Sequence, residues 1–228
     1  MRKFVYLFLL LMMILGNSSF AQESLKDPMK YGVKFGINSS NIINNDEALF
    51  NPTVGFNFGG LFEYRFNNIF GFQTELLFTM KGAEYDMGII DVEQEDISGI
   101  HFDGDIITTY LEIPLLANIY FFENENFSSF FQIGSSIGLN MSAKEEVDID
   151  FYYEDDLTVV GATESIDDDI DDYEKVDFGI DFGLGLMYKK FYLDTRYTFG
   201  LSKIMDMELD KKYDPKNVSF ALSVGYCF

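Results

Sequence analysis

The final stretch of the chain alternates without a break. Val218, Phe220, Leu222, Val224, Tyr226 and Phe228 are bulky and apolar, while Ser219, Ala221, Ser223, Gly225 and Cys227 between them are small. A two-residue period marks a strand whose two faces meet different surroundings. In a water-soluble sandwich the face opposite the apolar row would carry charge against solvent. Here that face is made of small residues, which suits a narrow, crowded interior.

The same alternation recurs upstream, from Tyr31 to Asn38, Val54 to Phe66, Phe70 to Lys81, Thr109 to Phe121, Phe127 to Met141, Val176 to Tyr188 and Phe191 to Leu201. With the terminal strand this makes eight. The apolar rows, such as Phe56, Phe58, Phe62 and Tyr64, are nearly free of charge. The opposite rows mix glycine with Lys34, Glu63, Arg65, Glu75, Lys81, Glu112, Asp177, Asp181, Asp194 and Arg196. A lipocalin-like soluble barrel would turn its apolar rows inward around a ligand. Charged rows cannot line a greasy cavity, so the apolar rows belong against lipid. The links after the second, fourth and sixth strands are very short, and those after the odd-numbered strands are long and polar. That asymmetry fits an all-β, eight-stranded antiparallel up-and-down transmembrane β-barrel with four external loops. Pro114 removes a ladder donor and predicts a bulge or a local gap in pairing. The pattern lapses from about Asp86 to Gly104, and residues 143–175 form the most acidic stretch; both read as external loops.

Residues 1–21 read as a signal peptide, with Arg2 and Lys3 before an apolar run and a small-x-small site ending at Ala21. The barrel domain is then expected over 22–228. No later stretch is apolar and long enough for a transmembrane helix, although 17% of the chain is aromatic. The one cysteine, Cys227, allows no internal disulfide and reads as structural. A net charge of −22 opposes binding to a phosphate backbone, so nucleic acid is excluded as a partner.

The segment Tyr110-Leu111-Glu112-Ile113-Pro114-Leu115-Leu116, the Ala21-Gln22 site and the eight-strand layout together resemble an outer-membrane β-barrel family of Bacteroidetes. Its members are called porin family or PorT-like proteins, after a component of a protein secretion and gliding apparatus. The resemblance implies the outer membrane of a Gram-negative bacterium, with its lipid as surroundings and envelope proteins as partners through the loops. It also implies that Phe220, Leu222, Val224, Tyr226 and Phe228 form the insertion signal read by the barrel-insertion machinery.

The inward charges Glu63, Arg65, Glu75, Lys81, Glu112, Asp194 and Arg196 are expected to form a paired interior network. Eight strands leave an interior just wide enough to be filled by side chains. A narrow porin for small solutes is the alternative. Asp167, Asp169 and Asp171 space carboxylates as a calcium loop does, but Asp172 and Phe178 stand where that loop needs Gly and Glu. No metal or cofactor is expected. His101, the single imidazole, sits near Ser98, Asp103 and Asp105 in the expected loop and reads as a surface residue, so no catalytic residues are assigned.

Overall fold

Glu63 is 1% exposed and the next residue, Tyr64, is 40% exposed. Neighbours that differ so sharply stand on opposite faces of one sheet wall. The computed structural model describes residues 28–44, 47–48, 50–94, 97–153, 166–169, 173–204 and 214–228. The expected signal at 1–21 lies outside them.

Among the described residues there are ten strands: β1 Met29–Asn44, β2 Glu47–Ala48, β3 Asn51–Arg65, β4 Phe70–Gln94, β5 Ile97–Glu123, β6 Phe127–Tyr153, β7 Ile166–Asp169, β8 Val176–Tyr188, β9 Phe191–Gly200 and β10 Pro215–Cys227. Eight of them form a closed antiparallel ring, β1-β3-β4-β5-β6-β8-β9-β10, with β10 returning to β1. The closing seam runs from the Gly32 and Cys227 pair to the Asn44 and Pro215 pair. The short β2 and β7 attach to β1 and β6.

Side chains of the ring alternate as the sequence pattern requires. Phe35, Phe58, Phe78, Ile133, Phe182, Leu184, Tyr197 and Phe220 stand exposed on the outer surface. Lys34, Glu63, Arg65, Glu75, Lys81, Glu112, Asp177, Asp181, Asp194 and Arg196 are buried inside. The outer rows are a belt for hydrocarbon. Asn67 and Asn124 fix two of the tight turns, each side-chain oxygen accepting from two backbone N–H groups at 2.8–3.0 Å. Lys189 makes the third turn with φ of 56°.

β1 runs to Asn44, past the expected Asn38, and three strands outrun their expected spans further. β4, β5 and β6 run 25, 27 and 27 residues, whereas crossing a membrane takes about 9–11. The segment from Asp86 to Gly104 is therefore not a loop but the top of a hairpin, with Asp86 paired to Asp103 and Gly88 to His101. The start of the acidic stretch is strand as well, since Lys144 to Tyr153 continue β6.

The lapse in the sequence is an exchange of polarity, not a loss of period. On β4 the outward row changes from Phe78 and Met80 to Glu84 and Asp86, and the inward row from Thr79 and Lys81 to Ala83 and Tyr85. A three-stranded ribbon thus rises from the ring with Glu84, Asp86, Asp103, Asp105, Glu146 and Asp148 outward and a largely apolar face inward.

Pro114 leaves a gap on the β4 side, where pairing skips from Thr74 and Leu115 to Leu77 and Glu112 without a change of register. On the β6 side Pro114 still faces Ser136. Of the bulge or gap expected there, the gap is what forms. Nearby, a Cβ on Gly59 would lie 1.9 Å from the Leu76 carbonyl oxygen, so only glycine lets β3 approach.

A charge placed on the belt tests this orientation. Phe58→Arg is expected to destabilise the barrel in lipid vesicles by about 2–4 kcal/mol. Glu84→Lys, above the belt, is expected to stay within about 0.5 kcal/mol. Urea unfolding followed by gel mobility measures both.

Candidate functional site

Glycine and short polar residues on the inward rows leave room for long charged side chains to meet across the lumen. Lys34 of β1, Glu75 of β4 and Asp194 and Arg196 of β9 converge there. The Lys34 ammonium lies 3.3 Å from Glu75 and 3.0 Å from Asp194. Arg196 grips Glu75 with two donors, at 2.9 and 2.7 Å, and reaches Asp194 at 3.1 Å. Two cations thus face two anions, and the bidentate fork is the strongest geometry available to the pair. Gln73 donates to Glu75 at 2.6 Å and to the Tyr192 hydroxyl at 3.0 Å, while Asn118 donates to Gln73 at 2.9 Å. The network therefore joins four strands of the barrel, β1, β4, β5 and β9.

Lys81 anchors a second group, 2.5 Å from Glu112 and 3.9 Å from Asp177. Asn217 donates to Asp177 at 2.9 Å and to the Tyr110 hydroxyl at 3.0 Å. Asp181 accepts from Thr198 at 2.7 Å. Arg65 forms a third group, bonded to Glu123 at 2.5 and 3.0 Å with its guanidinium 3.8 Å over the Tyr120 ring. The Tyr120 hydroxyl donates to Glu63.

The seven charges singled out in the sequence thus divide into separate groups. Glu75, Asp194 and Arg196 meet in one, Lys81 and Glu112 in another, and Glu63 and Arg65 flank Tyr120 in the third. Lys34, Asp177 and Asp181 belong with them and were legible in the same alternation. Glu123, next to a turn, carried no such signal.

Apolar side chains gather in two clusters within the lumen. Leu61, Tyr120, Phe130, Met187, Tyr192 and Cys227 pack toward the tight turns. Ile42, Ala83, Ile106, Tyr110, Ala143, Tyr173 and Ile204 pack beneath the ribbon, with Phe50 and Tyr85 against them. Between lies a cavity of about 20 Å³, touched by Lys34, Glu112, Asp181 and Arg196. That is room for about one water.

Outside the membrane the ribbon sets like charges side by side. Glu84, Asp105 and Glu146 lie opposite one another across β4, β5 and β6, and so do Asp86, Asp103 and Asp148. Like charges in such positions repel. Partial burial, then the carboxylates of Glu84, Glu146, Asp148 and Asp103, hold the Asp105 carboxyl above its usual range. On the inner face the Tyr85 hydroxyl donates to Glu145 at 2.6 Å, and burial and that carboxylate push its phenol up. His101 stands in β5 beside Asp86 and Asp103, not in a loop. Of the calcium-type spacing, Asp171 and Asp172 lie outside the described residues.

A closed ring of eight antiparallel strands, apolar outside and charged within, defines a transmembrane β-barrel. Residues 20–206 match the outer membrane protein beta-barrel domain family, and the chain belongs to it. Its place is the outer membrane of a Gram-negative bacterium, in contact with the membrane lipid. Among curated proteins none matches the chain.

Three solved structures illustrate its similarities. Ail, the attachment invasion locus protein of Yersinia pestis, in complex with the heparin analogue sucrose octasulfate, is 20% identical over 89% of this chain and 100% of that one, with a TM-score of 0.40. Neisserial surface protein A is 11% identical over 87% and 97%, with a TM-score of 0.39. OprG from Pseudomonas aeruginosa is 12% identical over 88% and 94%, with a TM-score of 0.37.

Removing one member of the central network leaves its partners buried and unbalanced. Glu75→Ala is expected to cost about 3–5 kcal/mol. Adding Arg196→Ala is expected to cost less than the sum of the two single changes, read by a double-mutant cycle of unfolding in lipid.

The ribbon titrates in the opposite sense to a salt-bridged carboxylate. Because the Asp105 pKa is raised on folding, its contribution is favourable below the ordinary Asp value and is lost as pH rises through the folded value. Asp105→Asn is therefore expected to raise amide protection in the ribbon at pH 7. The gain should disappear below about pH 4, measured as protection factors by hydrogen exchange.

Proposed function

We propose that the protein is a non-conducting outer-membrane anchor whose acidic ribbon is an external interaction surface for other envelope proteins. The observation that carries this is the filled lumen: paired charges, two apolar clusters and a cavity of about 20 Å³. A solute path needs continuous wet space, which such an interior does not offer. By the asymmetry of outer-membrane barrels, the end with tight turns faces the periplasm and the ribbon faces outward. Strands hold a surface in fixed register, so the ribbon offers a partner a rigid face.

Within this reading the finer role is that of a PorT-like adaptor of an envelope secretion complex. Its support is the Tyr110 to Leu116 segment. The same proposal takes residues 1–21 as the export signal. It takes the outward row Phe220, Leu222, Val224, Tyr226 and Phe228 as the element that barrel-insertion machinery receives.

The purified protein in planar bilayers is expected to give no stable conductance steps. Reproducible ion-conducting steps would favour the narrow porin instead. The adaptor role is tested separately by deleting the gene: export of the organism's secreted proteins should fall, and unchanged export would remove that role while leaving the anchor reading intact.

A further inference from the structure

The ribbon carries one group that a plain acidic face has no use for. His101 is the single histidine of the chain, and β-pairing places it beside two carboxylates. Asp103 follows two residues later on the same face of β5, and Asp86 of β4 lies directly opposite Asp103. The His101 Nε2 atom is 3.4 Å from Asp86 Oδ1 and 3.3 Å from Asp103 Oδ2. All three donor atoms fall within 4.8 Å of one another.

The spacing of this trio suits a shared ion. A charge-assisted hydrogen bond from an imidazolium to a carboxylate closes to about 2.7–2.9 Å, and both separations are longer. A tetrahedral metal ion with bonds of about 2.0–2.2 Å sets its ligand atoms about 3.3–3.6 Å apart. The two N–O separations match an edge of that tetrahedron.

We propose that Asp86, His101 and Asp103 bind a borderline divalent transition-metal ion of the zinc class on the outside of the ribbon. An imidazole nitrogen selects such ions over magnesium and calcium, which take oxygen alone. Three protein ligands leave the fourth position for water or for a ligand donated by a partner. The side chains are accessible, 26% exposed for His101, 60% for Asp86 and 57% for Asp103.

The surroundings supply a second reason. Asp86 and Asp103 belong to a row with Asp148, next to the row of Glu84, Asp105 and Glu146. A dication set into the row offsets the repulsion that pairing creates. The one thiol of the chain, Cys227, is buried among the plug residues at the far end of the barrel. The inference stands apart from the adaptor reading and needs only the paired ribbon.

The test is calorimetric titration of the purified protein, free of any polyhistidine tag and held in detergent micelles, with Zn2+ and in parallel with Ca2+ and Mg2+. The expected result is saturable uptake of one Zn2+ per chain, weakened about tenfold or more by His101→Ala and by Asp86→Asn. Both variants should keep the heat-modifiable gel mobility of the folded barrel, and their Ca2+ uptake should not change. Co2+ in place of Zn2+ should give the intense visible absorption of a low-coordinate site, lost in both variants. Zn2+ affinity that survives both substitutions, or that Ca2+ and Mg2+ match at equal concentration, would mean diffuse attraction to the acidic face and would overturn the site. An absence of saturable Zn2+ uptake would overturn it equally, leaving His101 as a plain ion-pair partner.

Discussion

Hydrocarbon offers no hydrogen bonds, so every backbone N–H and C=O in the membrane must find its partner within the chain. An open sheet would leave two edges unpaired at several kcal/mol for each group. The seam between β1 and β10 removes both edges, from Gly32 opposite Cys227 to Asn44 opposite Pro215. Once the ring is shut, each residue has one of two fates. It faces lipid, as Phe35 and Val224 do, or it faces the lumen, as Lys34 and Ser223 do.

The lumen then sets its own demands. Eight strands enclose little more than the volume of their own side chains, and any charge inside has lost its water. Lys34, Glu75, Asp194 and Arg196 answer this by balancing and by bonding through several atoms at once. Apolar groups above and below keep bulk water away from them. A Cβ on Gly185 would lie 2.2 Å from the Phe130 ring, so the plug depends on glycine in the facing wall. Pairing within the lumen and the stability of the barrel are thus tied together.

Much of this was legible in the chain because alternation survives wherever a strand separates two phases. Val176 to Tyr188 needed no correction, and the inward place of Glu75, Lys81 and Arg196 followed from parity alone. Parity could not say which charges meet, since that depends on ring order: Lys34 and Arg196 stand far apart in sequence and share Glu75 through the seam. Acidic composition misled above the belt. Glu84, Asp86, Asp103 and Asp105 resemble loop residues because an acidic run usually does. The signal that they lie in strands was the complementary row of Ala83, Tyr85, Gly104 and Ile106. Gly104 makes the point, because a Cβ there would lie 2.1 Å from the Tyr85 ring.

The level at which polarity changes hands also governs how the protein floats. Sinking by one residue pair would drag Glu84, Asp105 and Glu146 into the acyl chains, where each carboxylate loses its hydration. Rising would lift Ile107, and then Met80 one row lower, into water. The wall is therefore its own waterline, written across three adjacent strands at once, and it holds the barrel against vertical drift.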